Sequence, residues 1–170
     1  MDRNLYLDRL IGKKHNGLIK IITRIRRCGK SYLLFNLFKA HLLSARVSPD
    51  HIITLELDDR INKQYRNPDT LCSYVRENIK DYKMYYILLD EVQMMDDFED
   101  ILNSFLHISN VDVYVTGSNA KFLSKDIITE FRGMGEQVHL FPFSFSEFMQ
   151  GYPNGEYQGW LEYILYEEMP

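Results

Sequence analysis

No apolar run in this 170-residue chain approaches the roughly 20 residues that a membrane-spanning helix needs. Its first residues, Met-Asp-Arg-Asn-Leu-Tyr, hold no apolar core of the kind found in a secretory leader. Cysteine is almost missing. Cys28 and Cys72 stand 44 positions apart, which makes no disulfide framework and fits a reducing, cytoplasmic setting. The five histidines are scattered, which argues against a zinc site. There is no low-complexity tract, and 45% hydrophobic with 26% charged residues is ordinary for a globular protein. What is left is one domain-sized chain, expected to have no membrane partner and able to bury roughly 70% of its unfolded surface.

Charge is unevenly shared. Residues 1–50 carry 11 Lys and Arg against 3 Asp and Glu, whereas the remaining 120 carry 9 against 21. An anionic ligand in the basic part is one explanation; nucleic acid is another, and solvated helix faces are a third.

Hydrophobic periodicity divides the chain into alternating segments. Asp2 to Ile11 reads as a short helix with Leu5, Tyr6, Arg9 and Leu10 near helical spacing, followed by a polar turn from Gly12 to Gly17. Strands are expected at Leu18–Thr23, His51–Leu57, Met84–Leu89, Val111–Thr116 and Gln137–Phe141. Between them, Leu33, Leu34, Leu37, Phe38 and Leu42 mark one face of a helix from Lys30. Asn67-Pro68 starts another helix running to Lys80. Asp97 to His107 repeats at helical period. Later helices are expected near Asp126–Phe131, after the capping box Ser144-Phe-Ser-Glu147, and over Glu156–Glu167. Strands separated by helices predict an α/β three-layer fold around a parallel sheet of about five strands, with ligands beyond the carboxyl ends of the strands.

Three polar runs follow predicted strands. Arg24-Ile-Arg-Arg-Cys-Gly-Lys-Ser31 matches the phosphate loop G-x-x-x-x-G-K-[ST] except that Arg24 stands at the first glycine. Backbone amides of Arg27 to Ser31 can form a nest for anionic oxygens, continued by the N-terminus of the following helix. Arg26, Arg27, Cys28, Gly29, Lys30, Ser31 and Tyr32 are therefore the expected cofactor-contacting run, with Lys30 on the β/γ-phosphates and the Ser31 hydroxyl on Mg²⁺. Arg24 is either an added positive contact or a tolerated or damaging substitution; a position needing φ > 0 would cost a non-glycine residue roughly 1–2 kcal/mol. Cys28, among Arg26, Arg27 and Lys30, is expected to have a lowered pKa. Tyr86-Ile-Leu-Leu-Asp-Glu91 supplies the paired acids, with Asp90 holding the metal and Glu91 polarising water. Val115-Thr-Gly-Ser-Asn119 offers Ser118 and Asn119 beside a γ-phosphate, and Arg132 is a candidate arginine finger. Leu5, Leu10 and Ile11 are candidates for an adenine pocket.

Together, Arg26-Arg-Cys-Gly-Lys-Ser31, Leu89-Asp-Glu-Val-Gln93, Val115-Thr-Gly-Ser-Asn119 and Pro142-Phe-Ser-Phe-Ser-Glu-Phe148 resemble the archaeal-type AAA ATPases, a P-loop NTPase family, in order and over nearly the whole chain. The resemblance implies ATP and Mg²⁺ as ligands and an added strand between the two nucleotide motifs, the one expected at 51–57. It also implies Lys30 and Ser31 on phosphate and metal, Asp90 and Glu91 on metal and water, and Ser118 and Asn119 in the sensor position. Relatives show another arginine near Met134, and Gly-Gly-Met-Pro or similar where this chain has Tyr166-Glu-Glu-Met-Pro170. Residues 1–170 are thus expected to form one AAA-type ATPase domain, without the winged-helix-like and C-terminal regions of relatives. The leading expectation is an ATP-hydrolysing domain coupled to a protein or DNA partner, with homo-oligomers possible. The alternatives are a non-hydrolysing nucleotide switch or degenerate ATPase fragment, and a nucleic-acid-binding module.

Overall fold

A computed structural model describes residues 4–24, 29–118 and 133–140. Helix α1 (Asn4–Gly12) leads to strand β1 (Ile19–Arg24). A π-helical segment, Tyr32–Phe38, runs on into α2 (Lys39–Ser44). Next come β2 (Ile52–Glu56), α3 (Pro68–Asn78), β3 (Tyr85–Asp90), α4 (Phe98–Leu106), β4 (Val111–Ser118) and β5 (Gly135–His139). The five strands form one sheet in the order β2-β3-β4-β1-β5, and every neighbouring pair is parallel. This is the expected α/β architecture.

Strand alternation builds the layers. Odd-numbered residues, among them Ile19, Ile21, Ile87, Leu89, Val113 and Val115, pack with Leu71 and Val75 of α3 and Phe98, Leu102 and Phe105 of α4. Even-numbered residues, among them Ile22, Tyr86, Leu88 and Tyr114, pack with Tyr6 and Leu10 of α1 and Leu33, Leu34, Phe38 and Leu42. Every residue of β3 is buried, as expected for a strand covered on both faces.

Several expected boundaries move for identifiable reasons. Strand β4 continues past Thr116 because Gly117 and Ser118 stand in register with Thr23 and Arg24 of β1. Helix α1 buries Tyr6 and Leu10, four residues apart, and leaves Leu5 exposed. Leu33 and Phe38 are both fully buried five residues apart, a spacing that suits the wider π wind better than an α-helix. Helix α3 starts as predicted, with the Asn67 side chain accepting from Thr70 N at 3.0 Å. It ends at Asn78, and Lys80 instead donates its N–H to the Tyr85 hydroxyl at 3.0 Å. A 3₁₀ segment, Arg60–Arg66, has no counterpart among the expected elements; Asp59 starts it by accepting from Ile61 N at 3.0 Å. Cys72 is half-buried on α3. The helices expected after residue 120 lie outside the described residues.

The start of the sheet carries an ion pair hidden in the sequence. Lys20 of β1 and Asp112 of β4 are both buried and form a salt bridge. The Asp112 carboxylate also accepts from the Tyr114 hydroxyl at 2.9 Å and from His15 N at 3.1 Å. The His15 ring in turn meets the Tyr86 hydroxyl at 2.8 Å. One carboxylate thus fixes the loop before β1, where His15 takes φ 58°. Burial and the facing Asp112 push the Tyr114 hydroxyl pKa upward, which keeps it a donor. Asp112→Ala leaves the buried Lys20 charge without its partner and should lower unfolding free energy by about 3–5 kcal/mol in urea titrations. Pairing Lys20→Met with Asp112→Leu should recover the part of that loss due to the unpaired ammonium, but not the part due to the Tyr114 hydroxyl and His15 amide left without their acceptor.

Candidate functional site

The sheet order brings together the carboxyl ends of β1, β3 and β4, which flank one another through β4. At the end of β1, Arg24 is still strand backbone, in register with Ser118. The position is extended, so the cost expected of a non-glycine residue at φ > 0 does not arise. The glycine that the backbone does require is Gly29, with φ 71°. It opens the helix: Leu33 N donates to Gly29 O at 2.9 Å, and Lys30 and Ser31 fall in the first turn.

Strand β3 delivers its two acids against that turn. The Ser31 hydroxyl donates to Asp90 Oδ2 at 2.5 Å across 59 residues of sequence. Lys30 Nζ, on a nearly buried side chain, lies 3.4 Å from Glu91 Oε1. The other Asp90 oxygen accepts from the Thr116 hydroxyl of β4. Glu91 Oε2 accepts from the Gln93 side-chain amide. Burial raises the Asp90 pKa, and the bonds from Ser31 and Thr116 work against that rise. Glu56, the register partner of Asp90 on β2, also has a raised pKa, first from burial and then from Asp90, Asp58 and Asp59. Glu91 itself sits in the left-handed region at φ 52°, ψ 50°, a conformation costing roughly 1–2 kcal/mol for a non-glycine residue.

Of the sequence-predicted residues, the structure therefore brings together Gly29, Lys30, Ser31, Asp90 and Glu91. Tyr32 follows directly but is exposed. Ser118 ends β4 at the same sheet edge, with its backbone described. Arg26, Arg27, Cys28, Asn119 and Arg132 lie outside the described residues. Of the adenine-pocket candidates, Leu10 is core, Ile11 is half-buried and Leu5 is exposed. Sequence reading missed Thr116. Its position was visible as the last residue of the expected fourth strand, but a threonine there reads as ordinary β-former, and its pairing with the acids of the neighbouring β3 appears only in the sheet.

A hydroxyl and a carboxylate side by side are hard oxygen donors of the kind Mg²⁺ takes, one or two per site, with phosphate oxygens completing the shell. No group of three or more His, Cys, Asp or Glu suited to a metal occurs among the described residues. No helix among those residues is long and apolar enough to cross a membrane.

This set of a glycine-opened helix turn, lysine and serine facing paired acids at one edge of a parallel sheet defines a P-loop nucleotide-binding fold. A family model described as AAA domain matches residues 16–149, and the chain belongs to that family. An uncharacterized protein of Haemophilus influenzae is 29% identical over 169 residues, covering 99% of this chain and 42% of that protein. An uncharacterized protein of Methanocaldococcus jannaschii is 29% identical over 136 residues, 78% of this chain and 28% of its own length. The chain thus spans less than half the length of either relative. Among solved structures, PCH-2 of C. elegans aligns with TM-score 0.56 at 19% identity, over 88% of this chain and 46% of its own. The Aeropyrum pernix Orc1 protein, solved in complex with DNA, aligns with TM-score 0.55 at 13% identity, over 87% and 47%. At these identities the two share the fold.

The buried Asp90 charge makes a prediction. A carboxyl whose folded pKa is raised binds its proton more tightly in the folded state, so its contribution to stability falls as pH rises through the window between its unfolded and folded values. Asp90→Asn has no such charge. Its melting temperature should therefore gain on that of the parent as pH rises from about 4 to about 7, read by thermal melts without nucleotide. A constant difference across that range would contradict a raised Asp90 pKa.

Proposed function

We propose that residues 1–170 form one AAA-type unit that binds ATP with Mg²⁺ and hydrolyses it. The observation that carries this is the double contact between loop and strand, Ser31 on Asp90 and Lys30 beside Glu91. These are the pairs whose members must approach one phosphate chain. In this reading the amides from Arg27 to Ser31 cradle the phosphates, and the Lys30 ammonium neutralises the β/γ oxygens. Ser31 and Asp90 are the residues to hold Mg²⁺, which when bound supplies charge neutralisation on the phosphate oxygens. Glu91 accepts a proton from the attacking water, Ser118 and Asn119 orient that water, and Arg132 or a neighbouring copy's arginine stabilises charge on the transferred group.

The unit is proposed to act in the cytoplasm and to couple its nucleotide state to a protein or DNA partner through regions outside this chain. The relatives' greater length supports such regions, and the DNA complex of the Orc1 structure keeps nucleic acid among the partner classes.

Three variants test the proposal. Lys30→Ala should weaken ATP binding at least about tenfold. Glu91→Gln should leave binding within about threefold and lower turnover by a factor on the order of 10² or more. Arg24→Gly should shift ATP affinity less than about threefold, because the position is extended strand. Binding by fluorescent nucleotide and turnover by phosphate release decide all three. ATP binding without turnover in the unmodified chain would favour a nucleotide switch, and no binding at millimolar ATP and Mg²⁺ would overturn the proposal.

A further inference from the structure

Thr116 makes two bonds that the proposed chemistry leaves without a role. It is fully buried on β4, one residue past the Leu89–Val115 register pair. Its hydroxyl gives its proton to Asp90 Oδ1 and accepts the Glu91 backbone N–H at 3.0 Å. A single oxygen therefore touches both acids, one through a side chain and the other through the backbone.

The backbone contact matters because of where Glu91 must point. Along an extended strand, successive side chains leave opposite faces of the sheet. Asp90 lies on the even-numbered face, toward Ser31. A continued strand would send Glu91 to the odd-numbered face, against α3 and α4 and away from the loop. Glu91 instead turns left-handed at φ 52°, ψ 50°, and its carboxylate comes back to within 3.4 Å of Lys30 Nζ. A non-glycine residue stays in that region only when its surroundings hold it there. Two backbone bonds do so: the N–H on Thr116, and the carbonyl, which accepts from Met94 N at 2.9 Å as the chain enters a 3₁₀ turn. The second bond is local to the turn; of the two, the one to Thr116 ties it to a neighbouring strand.

Resting on the ATPase reading, we propose that Thr116 is a positioning residue for hydrolysis: its hydroxyl holds Glu91 in the left-handed turn that swings the carboxylate onto the phosphate-loop side of the sheet. Thr116→Val keeps the shape and removes the bonds, while Thr116→Ser keeps the hydroxyl. The valine variant of the full chain should lose at least about tenfold in kcat, with ATP affinity and half-saturating Mg²⁺ each within about threefold of the parent. The serine variant should keep kcat within about threefold. In the valine variant, amide hydrogen exchange at Glu91 should quicken at least about tenfold while Leu88 and Val115 stay unchanged. If valine does not fold, Thr116→Cys replaces it, a weak donor that must lose turnover where serine keeps it.

An active parent with an equally active valine variant overturns the inference alone. So does a valine variant rescued by excess Mg²⁺, which would assign the hydroxyl to Asp90, and so does serine failing as badly as valine. An unmodified chain that binds ATP without turnover overturns the hydrolytic reading first, and this inference with it.

Discussion

The site is organised around one carboxylate. Asp90 ends a strand whose six residues are all buried, and its negative charge sits where water does not reach it freely. A carboxylate in that position is tolerable only with donors on its oxygens. It receives one hydroxyl from the helix behind β1 and another from β4. Satisfying that charge therefore fixes the relative position of three elements at once: the first turn of the helix, the end of β3 and the end of β4. The same constraint sets the approach of Lys30 to Glu91, one residue along on each side. Any divalent cation that comes to Ser31 and Asp90 meets oxygens already gathered by the protein's own need to solvate a buried charge.

The opposite end of the same sheet face solves a similar problem differently. Asp112 is also buried, but its partners are a buried ammonium, a tyrosine hydroxyl and a backbone amide. The ammonium of Lys20 and the hydroxyl of Tyr114 are buried in the core, and the amide belongs to His15 in the loop before β1. Between the two polar ends lies an apolar band of Ile22, Leu88 and Tyr114 against Leu33, Leu34 and Phe38. Four residues separate Asp112 from Thr116 and Tyr86 from Asp90, about 13 Å of strand. The structural and chemical groups are thus held by the same strands but insulated by side chains that carry no charge.

Much of this is legible in the order of the amino acids. The strands, their parallel arrangement, and the placing of Lys30, Ser31, Asp90 and Glu91 at one edge follow from apolar runs and the polar residues that end them. The features that local pattern hides have a common physical cause. Lys20, Asp112 and Thr116 sit inside strands, where periodicity reports burial but not which polar groups will find one another across neighbouring strands. Their partnership is set by the order β3-β4-β1 and by register, and neither can be read from a single segment. The π wind behind the loop is hidden for another reason: the four-residue spacing of Leu34 and Phe38 suits an α-helix while the five-residue spacing of Leu33 and Phe38 suits the π wind, and packing decides. Arg24 shows the reverse case. The motif makes it an anomaly, yet the register of β1 with β4 makes it an unremarkable strand residue.

The contact between Lys30 and Glu91 has a consequence for how tightly any nucleotide is held. The ammonium that would meet a phosphate is already facing an anion supplied by the chain, and Ser31 likewise already faces Asp90. On the ATPase reading, these residues act as an internal competitor. Measured affinity then reports an exchange of partners rather than the filling of an empty seat, and it is reduced by the fraction of molecules in which the clasp is closed. On the same reading the competition would favour departure, since Lys30 would have an anion in Glu91 to return to once the terminal phosphate is gone.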